Sequence, residues 1–281
     1  MSETTLINQL NSNMFTGNVN NLFVMSSKNG HVELVKLLMA DSRVDPGIQN
    51  NYAIQYASEN GHTEAVKLLL KDPRVDPEAN CNHAIRLASR NGHAEVVKLL
   101  LEYSRLDPSV HNNYAIRWAA ENGHTEVVKL LLKDPRVDPA ADGQYAIRLA
   151  AYRGHIEVMK ILLADPRVDP VGNKLCITHD DLTTHEDPEV NCTIASAILN
   201  GYDEIVILLL SSLKYKFNAD TYQKVLIDIR FISPADYKIP ENINEMLIGH
   251  IIKYQWYLKE FLREHLTVDL ASQINHTLVS K

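Results

Sequence analysis

"NNYAIRWAAENGHTEVVKLLLKDPRVDP", Asn112 to Pro139, is written almost unchanged several times along the chain. It holds no cysteine, and its one histidine, His124, stands beside Gly123. The glycine marks a period: Gly30, Gly61, Gly92, Gly123 and Gly154 recur every 31 residues, and Asp-Pro pairs beginning at Asp45, Asp76, Asp107, Asp138 and Asp169 keep the same step. A more divergent sixth copy, "NCTIASAILNGYDEIVILLL" from Asn191 to Leu210, has its glycine at Gly201, 47 residues after Gly154. A fixed period of about 20–50 residues marks stacked supersecondary units, not an ordinary globular core.

Each unit reads as two helices. The first runs from about Tyr114 to Glu121, with Ile116, Ala119 and Ala120 inward. Asn113, like Asn51, Asn82 and Asn191, stands at an N-cap position, where its side chain can accept from an orphan backbone N–H. Gly123 ends the helix, because a left-handed residue is easiest without a Cβ. The second helix starts near Thr125, and Val127, Val128, Leu131 and Leu132 form its apolar stripe. Glu126 suits the first turn and can pair with Lys129 three residues on. "DPRVDP" then stops the helix, since proline lacks an N–H and restrains its predecessor. Two short helices cannot bury their apolar faces alone, but stacked copies can. Small residues at Ala57/Ser58, Ala88/Ser89, Ala119/Ala120 and Ala150/Ala151 allow that close approach.

The totals fit such an array. Of 281 residues, 45% are hydrophobic and 22% charged, enough for a core and unlike a disordered chain. Lys+Arg number 28 against 35 Asp+Glu, a formal charge of -7. That acidic balance argues against a nucleic-acid partner, which needs a basic footprint. Three cysteines do not make a disulfide framework and point to a reducing, intracellular, cytoplasmic setting. The opening "MSETTLINQL" lacks the features of a signal peptide. The longest apolar run, Ile205 to Leu210, is far short of the roughly 20 residues of a spanning helix, so no membrane partner is expected.

The segment "AAENGHTEVVKLLL" resembles the ankyrin repeat, and the likeness covers residues 21 to 211 in six copies. Where ankyrin repeats carry Thr-Pro-Leu-His, this chain has "YAIQ" at Tyr52, "HAIR" at His83 and "YAIR" at Tyr114 and Tyr145. The unit is also shorter than the usual ankyrin length, and the missing residues fall between "DPRVDP" and the next tyrosine. The resemblance implies an all-α ankyrin solenoid whose β-hairpin fingers are short or irregular. It also implies a non-catalytic scaffold that binds a partner protein on its concave side. The expected organisation is an N-terminal cap at 1–20, five repeats over 21–170, a polar insertion at 171–190, a sixth repeat at 191–211 and a C-terminal helical cap over 212–281. Leu6, Leu10, Met14 and Phe15 would cover the first repeat.

Candidate binding positions are those that change while the framework stays fixed. Lys28, Glu59, Arg90, Glu121 and Tyr152 precede the turn residues of successive units, and Gln49, Asn80, His111 and Asp142 precede successive first helices. In ankyrin proteins these places face the groove, so they are the expected partner-binding residues; neutral drift on a solvent face is the competing reading. His31, His62, His93, His124 and His155 form a column, but packed helices lie about 8–10 Å apart, while zinc ligands must lie about 2 Å from one ion. That column is therefore structural. Arg86, Arg117 and Arg148 read as satisfying nearby carbonyls or a carboxylate such as Asp142, with a basic stripe for an acidic partner as the alternative. Arg74, Arg105, Arg136 and Arg167 read as a solvated ladder with Asp76, Asp107, Asp138 and Asp169. Trp118 aligns with Met25, Tyr56, Leu87 and Leu149 and reads as core, with a binding hot spot as the alternative.

No Ser-His-Asp set, phosphate loop or zinc spacing is visible, so no catalytic residue, metal or cofactor is expected. The insertion pairs His179 with Asp180 and Asp181, and His185 with Glu186 and Asp187, in a spacing that matches no ligand pattern; it reads as a surface loop. "IPENINEML", Ile239 to Leu247, resembles the opening of an F-box, with the glutamate displaced to Glu241 directly after Pro240. That resemblance implies an alternative role as substrate adaptor for a ubiquitin ligase, with a ligase subunit as a second partner.

Overall fold

The computed structural model describes residues 3–12, 15–103, 105–168 and 200–213, together with 197 and 245. Chain contacts divide the protein into two units, Met1–Asp169 and Pro170–Lys281. The first begins with α1 (Glu3–Asn11) and continues as five helix pairs: α2 (Val19–Lys28) with α3 (Val32–Ala40), α4 (Ile48–Glu59) with α5 (Thr63–Leu69), α6 (Ala79–Arg90) with α7 (Ala94–Leu101), α8 (Val110–Glu121) with α9 (Thr125–Leu132), and α10 (Ala141–Tyr152) with α11 (Ile156–Ala164). No strand occurs among the described residues. Each first helix packs on the first helix of the next pair and each second helix on the next second helix, giving an all-α solenoid two layers deep; α1 lies against α3.

In the second unit the described part is α12 (Asp203–Leu213), with Ala197, Ile205, Val206 and Leu209 buried. The insertion at 171–190, the tail beyond Leu213 and the F-box-like segment lie outside the described residues, Glu245 excepted.

The core repeats as the sequence does. In the fourth pair Ala115, Ile116, Ala119 and Ala120 of α8 meet Val127, Val128 and Leu131 of α9, all at most 1% exposed. Burying one such Val, Leu or Ile side chain contributes about 1.5–3 kcal/mol. Alanine in α8 lets neighbouring first helices approach closely.

The histidine column ties one pair to the next. Nε2–H of His62, His93, His124 and His155 donates to the carbonyls of Lys28, Glu59, Arg90 and Glu121, at 2.8–2.9 Å. Each ring also lies on the glycine of the preceding turn. A Cβ built on Gly61, whose φ is +71°, would stand 2.5 Å from His93 Nδ1.

The loops differ from expectation in three respects. First, just inside the start of each later first helix, ahead of its right-handed part, the chain makes a single left-handed turn. Gln49–Asn51, Asn80–Asn82, His111–Asn113 and Asp142–Gln144 all have φ between +51° and +67°. A left-handed residue with a Cβ costs roughly 1–2 kcal/mol, least for Asn and Asp, which accounts for the asparagine-rich composition.

Second, the asparagines expected to cap their own helices clamp a distant loop instead. Oδ1 of Asn51 and Asn113 accepts from the backbone N–H of Asp76 and Asp138 at 2.7 Å, and Asn20, at the matching place in the first pair, does the same for Asp45 at 2.8 Å. Asn82 is turned the other way, its Nδ2 donating to Asp107 O at 3.0 Å.

Third, the expected Arg–Asp ladder is corrected in register. Arg43, Arg74, Arg136 and Arg167 pair with Asp41, Asp72, Asp134 and Asp165, two residues earlier, at 2.6–2.7 Å. Asp76 and Asp138 instead accept from the backbone N–H two residues on, at 2.9–3.0 Å, an Asx turn that fixes the start of the next unit. Arg105 lacks the matching aspartate, because Tyr103 occupies that place. Its guanidinium lies 5.7 Å from the Tyr103 ring and 3.5 Å from Glu78.

Candidate functional site

Burial of one side of each first helix dictates what the other side shows. In α8 the core takes Ala115, Ile116, Ala119 and Ala120. Tyr114, Arg117, Trp118 and Glu121 are left, and their i, i+3, i+4, i+7 spacing makes one helical stripe. The same stripe is Tyr52, Gln55, Tyr56, Glu59 on α4; His83, Arg86, Leu87, Arg90 on α6; and Tyr145, Arg148, Leu149, Tyr152 on α10. Side by side, the four stripes make the inner-helix face.

The expected binding residues occupy two borders of this face. Lys28, Glu59, Arg90, Glu121 and Tyr152 are the last residues of α2, α4, α6, α8 and α10. Lys28 and Arg90 are exposed, and Glu59, Glu121 and Tyr152 half-buried. Glu121 pairs with Arg153 at 2.8 Å, and the Arg153 guanidinium stands 5.4 Å from the Tyr152 ring. Gln49, Asn80, His111 and Asp142 form the opposite border as the first residues of the left-handed turns. Gln49 and His111 are exposed. Asn80 bonds the amide of Asn50 and donates to Gln55 Oε1 at 3.3 Å. Asp142 pairs with Arg117 at 2.9 Å. The two borders therefore share a face but do not meet.

The second arginine column satisfies nearby carbonyls and, at Arg117, the Asp142 carboxylate, as expected; the carbonyls are those of the left-handed turns. Arg86 donates to the carbonyls of Cys81 and Asn80 at 3.1 and 3.0 Å, and Arg148 to that of Asp142 at 3.3 Å. Gln55 does the same for Asn50 at 2.6 Å. Carbonyls of a left-handed turn cannot all join the following right-handed helix, and these side chains satisfy them.

Trp118 is not core. It is half-buried, and its row grades from Met25, 51% exposed, to Leu149, 5% exposed. Apolar alignment concealed this, because the alanines and Ile116 already fill the interior. The helical spacing from Tyr114 to Trp118 carried the signal.

From the border that holds Lys28 and Arg90 inward, cations lie against aromatic rings. The Arg90 guanidinium lies 4.2 Å from the Trp118 ring, Trp118 lies 5.0 Å from Tyr114, and the Arg86 guanidinium stands 5.2 Å from Tyr114. Arg117 stacks on Tyr145 at 4.2 Å and Lys28 on Tyr56 at 5.1 Å. Burial, and next the charge of Arg86, hold the His83 imidazole below its usual pKa, with Glu59 opposing. His83 therefore stays neutral at neutral pH.

Among the described residues no three His, Cys, Asp or Glu side chains gather where they could hold a metal ion. None of their helices is long and apolar enough to cross a membrane. The face offers stacking surface, guanidinium donors and a few carboxylates, an arrangement suited to recognition.

A family model described as ankyrin repeats (3 copies) matches the chain over residues 22–112, 87–174 and 116–223. No curated protein matches it.

Proposed function

The chain belongs to the ankyrin-repeat family, whose repeats generally mediate protein–protein interaction without catalysis, and from that premise we propose that the inner-helix face of residues 19–153 docks a partner protein. One observation carries the reading. On a framework of constant glycine, histidine and core alanine, the stripe residues change size and charge sign from repeat to repeat, as at Lys28, Glu59, Arg90, Glu121 and Tyr152. A surface maintained only by solvation has no need of half-buried Trp118, Tyr114 and Tyr145, whereas aromatic and arginine side chains dominate interface energetics. Gln49, Asn80, His111 and Asp142 form the second border of the same surface. α1, within 1–20, acts as the N-terminal cap through its contact with α3. The sparse cysteine complement supports a cytoplasmic setting.

The test is affinity capture with mass spectrometry, comparing wild type with a variant in which Glu59, Arg90, Glu121 and Tyr152 are all alanine. Wild type should retain a specific protein that the variant loses, with unchanged helical circular dichroism. Equal recovery by both proteins places the interaction elsewhere.

A further inference from the structure

We propose that the partner presents an acidic, extended segment to a cationic aromatic stack at the centre of the inner-helix face, where Arg90, Trp118, Tyr114 and Arg86 lie in sequence across α6 and α8. This deepens the proposed function and rests on it. The stack is continuous: guanidinium on indole at 4.2 Å, indole against phenol at 5.0 Å, phenol under guanidinium at 5.2 Å. A guanidinium lying on a ring keeps its N–H donors at its edge, where a carboxylate accepts two parallel bonds.

Charge decides what fits. Of the carboxylates on the inner helices, Glu121 is neutralised by Arg153 and Asp142 by Arg117. Glu59, half-buried one repeat away, makes no ion pair with Arg90. Arg90 is exposed and, among the described residues, has no carboxylate partner. Arg86 spends three of its five donors, on Cys81 O, Asn80 O and His83 Nδ1, and keeps the two on Nη1. The centre of this face is thus electropositive on a chain whose formal charge is -7. That contrast steers an acidic segment to one place on the molecule.

Geometry narrows the segment further. Arg86 and Arg90 lie one helical turn apart on one face of α6, about 5–6 Å between Cβ atoms. Alternate side chains of an extended strand are about 6.6 Å apart on one side. Two carboxylates separated by one residue therefore match the pair, and an aromatic or apolar residue beside them can lie on Trp118 and Tyr114. Cations beside rings also suit single-stranded nucleic acid. The overall negative charge disfavours that occupant, and the experiment includes it.

The full-length protein is panned against a random peptide-display library, and selected peptides are measured by fluorescence anisotropy beside a labelled oligothymidine. Selected peptides should carry Asp or Glu at alternate positions. Their affinity should drop roughly tenfold or more in Arg90→Ala, and fall steeply as salt rises from about 0.05 to 0.5 M. Arg90→Glu should invert the preference towards Lys and Arg, an outcome a merely structural arginine would not give. Circular dichroism checks that each variant folds. Neutral or basic selections, no selection at all, or tighter binding of oligothymidine overturn the proposal. If neutral peptides are selected and lost in the four-alanine variant, the acidic segment is wrong while the docking face stands. If that variant binds every selected peptide as wild type does, the docking face fails too.

Discussion

At Gly61 two demands coincide: φ is +71°, and a Cβ would stand 2.5 Å from Nδ1 of His93. Gly61→Ala therefore meets left-handed strain of roughly 1–2 kcal/mol and displaces the ring that bonds Glu59 O at 2.9 Å. His93→Ala alone loses that bond, a net of about 0.5–1.5 kcal/mol, and the packing on glycine. In the double variant the clash is gone and only the backbone strain and the lost bond remain. Urea denaturation should therefore give a double-variant loss smaller than the sum of the single losses; simple additivity means that the ring does not rest on the glycine. His124 of that column sets a pH dependence. Burial, ahead of the charges of His93 and His155, holds His124 below its usual pKa, against a bond to Arg90 O that raises it. The unfolded chain then takes up the proton first as pH falls. Stability is complete above about pH 6.5 and declines below it, as the unfolded and then the folded imidazole titrates. His124→Gln should flatten the fall in urea midpoint between about pH 7 and 5. The aspartates act in a separate, lower window. Side-chain hydrogen bonds from Arg43, Arg74, Arg136 and Arg167 lower Asp41, to about 2, and also Asp72, Asp134 and Asp165. Their contribution is full above about pH 3.8 and disappears as pH falls through the lowered values.

Among the elements, the left-handed turn departs furthest from what the residues alone suggested. Helices, their terminating glycines and their buried stripes follow from local periodicity and were legible. An asparagine before a helix reads equally as a cap or as a left-handed residue, and only the position of a loop 25 residues on distinguishes them. Asn51 and Asn113 reach Asp76 N and Asp138 N across that interval. The arginine ladder was misassigned by the same limitation: Arg74 has an aspartate two residues away on either side, and the Asx turn commits Asp76 while Asp72 remains for pairing. Cys81 isolates the energetics of the turn. It is exposed, with φ +55°, where the neighbouring units have Asn50 and Asn112. In urea denaturation Cys81→Asn should raise the unfolding free energy by a few tenths of a kcal/mol up to about 1, and Cys81→Val should lower it by about 1–2 kcal/mol, since a β-branched side chain tolerates the left-handed region worst. Equal stability of the two variants would show that this turn is not left-handed in solution.

For the helix pairs α2–α11, cohesion between units resides in contacts between adjacent pairs, where the principal inter-pair packing among the described residues lies. The inner-helix face is a by-product of the same arrangement. Alanine and isoleucine turn one side of each first helix inward, and whatever stands at the remaining positions becomes surface. The stripe could be drawn from the sequence, but its role could not, because the tyrosine and tryptophan rows satisfy an apolar pattern whether they face core or solvent. The distinction depends on how much volume the small residues leave inside. Ala119 tests this picture directly. It is fully buried in α8 and aligns with Ala88 of α6 and Ala150 of α10, both also fully buried. Ala119→Leu inserts three carbons where no space exists, a cost of about 1–3 kcal/mol. In a compact domain that cost would lower one cooperative transition uniformly. In a linear stack it weakens the junctions between α6, α8 and α10 and leaves α2–α5 almost untouched. Hydrogen exchange followed by mass spectrometry should therefore show protection lost first in α8 and its immediate neighbours, with protection of α4 and α5 close to wild type. A uniform loss across residues 19–164 would mean that the repeats fold and unfold as one body, and that nearest-neighbour contacts do not limit the cohesion of the array.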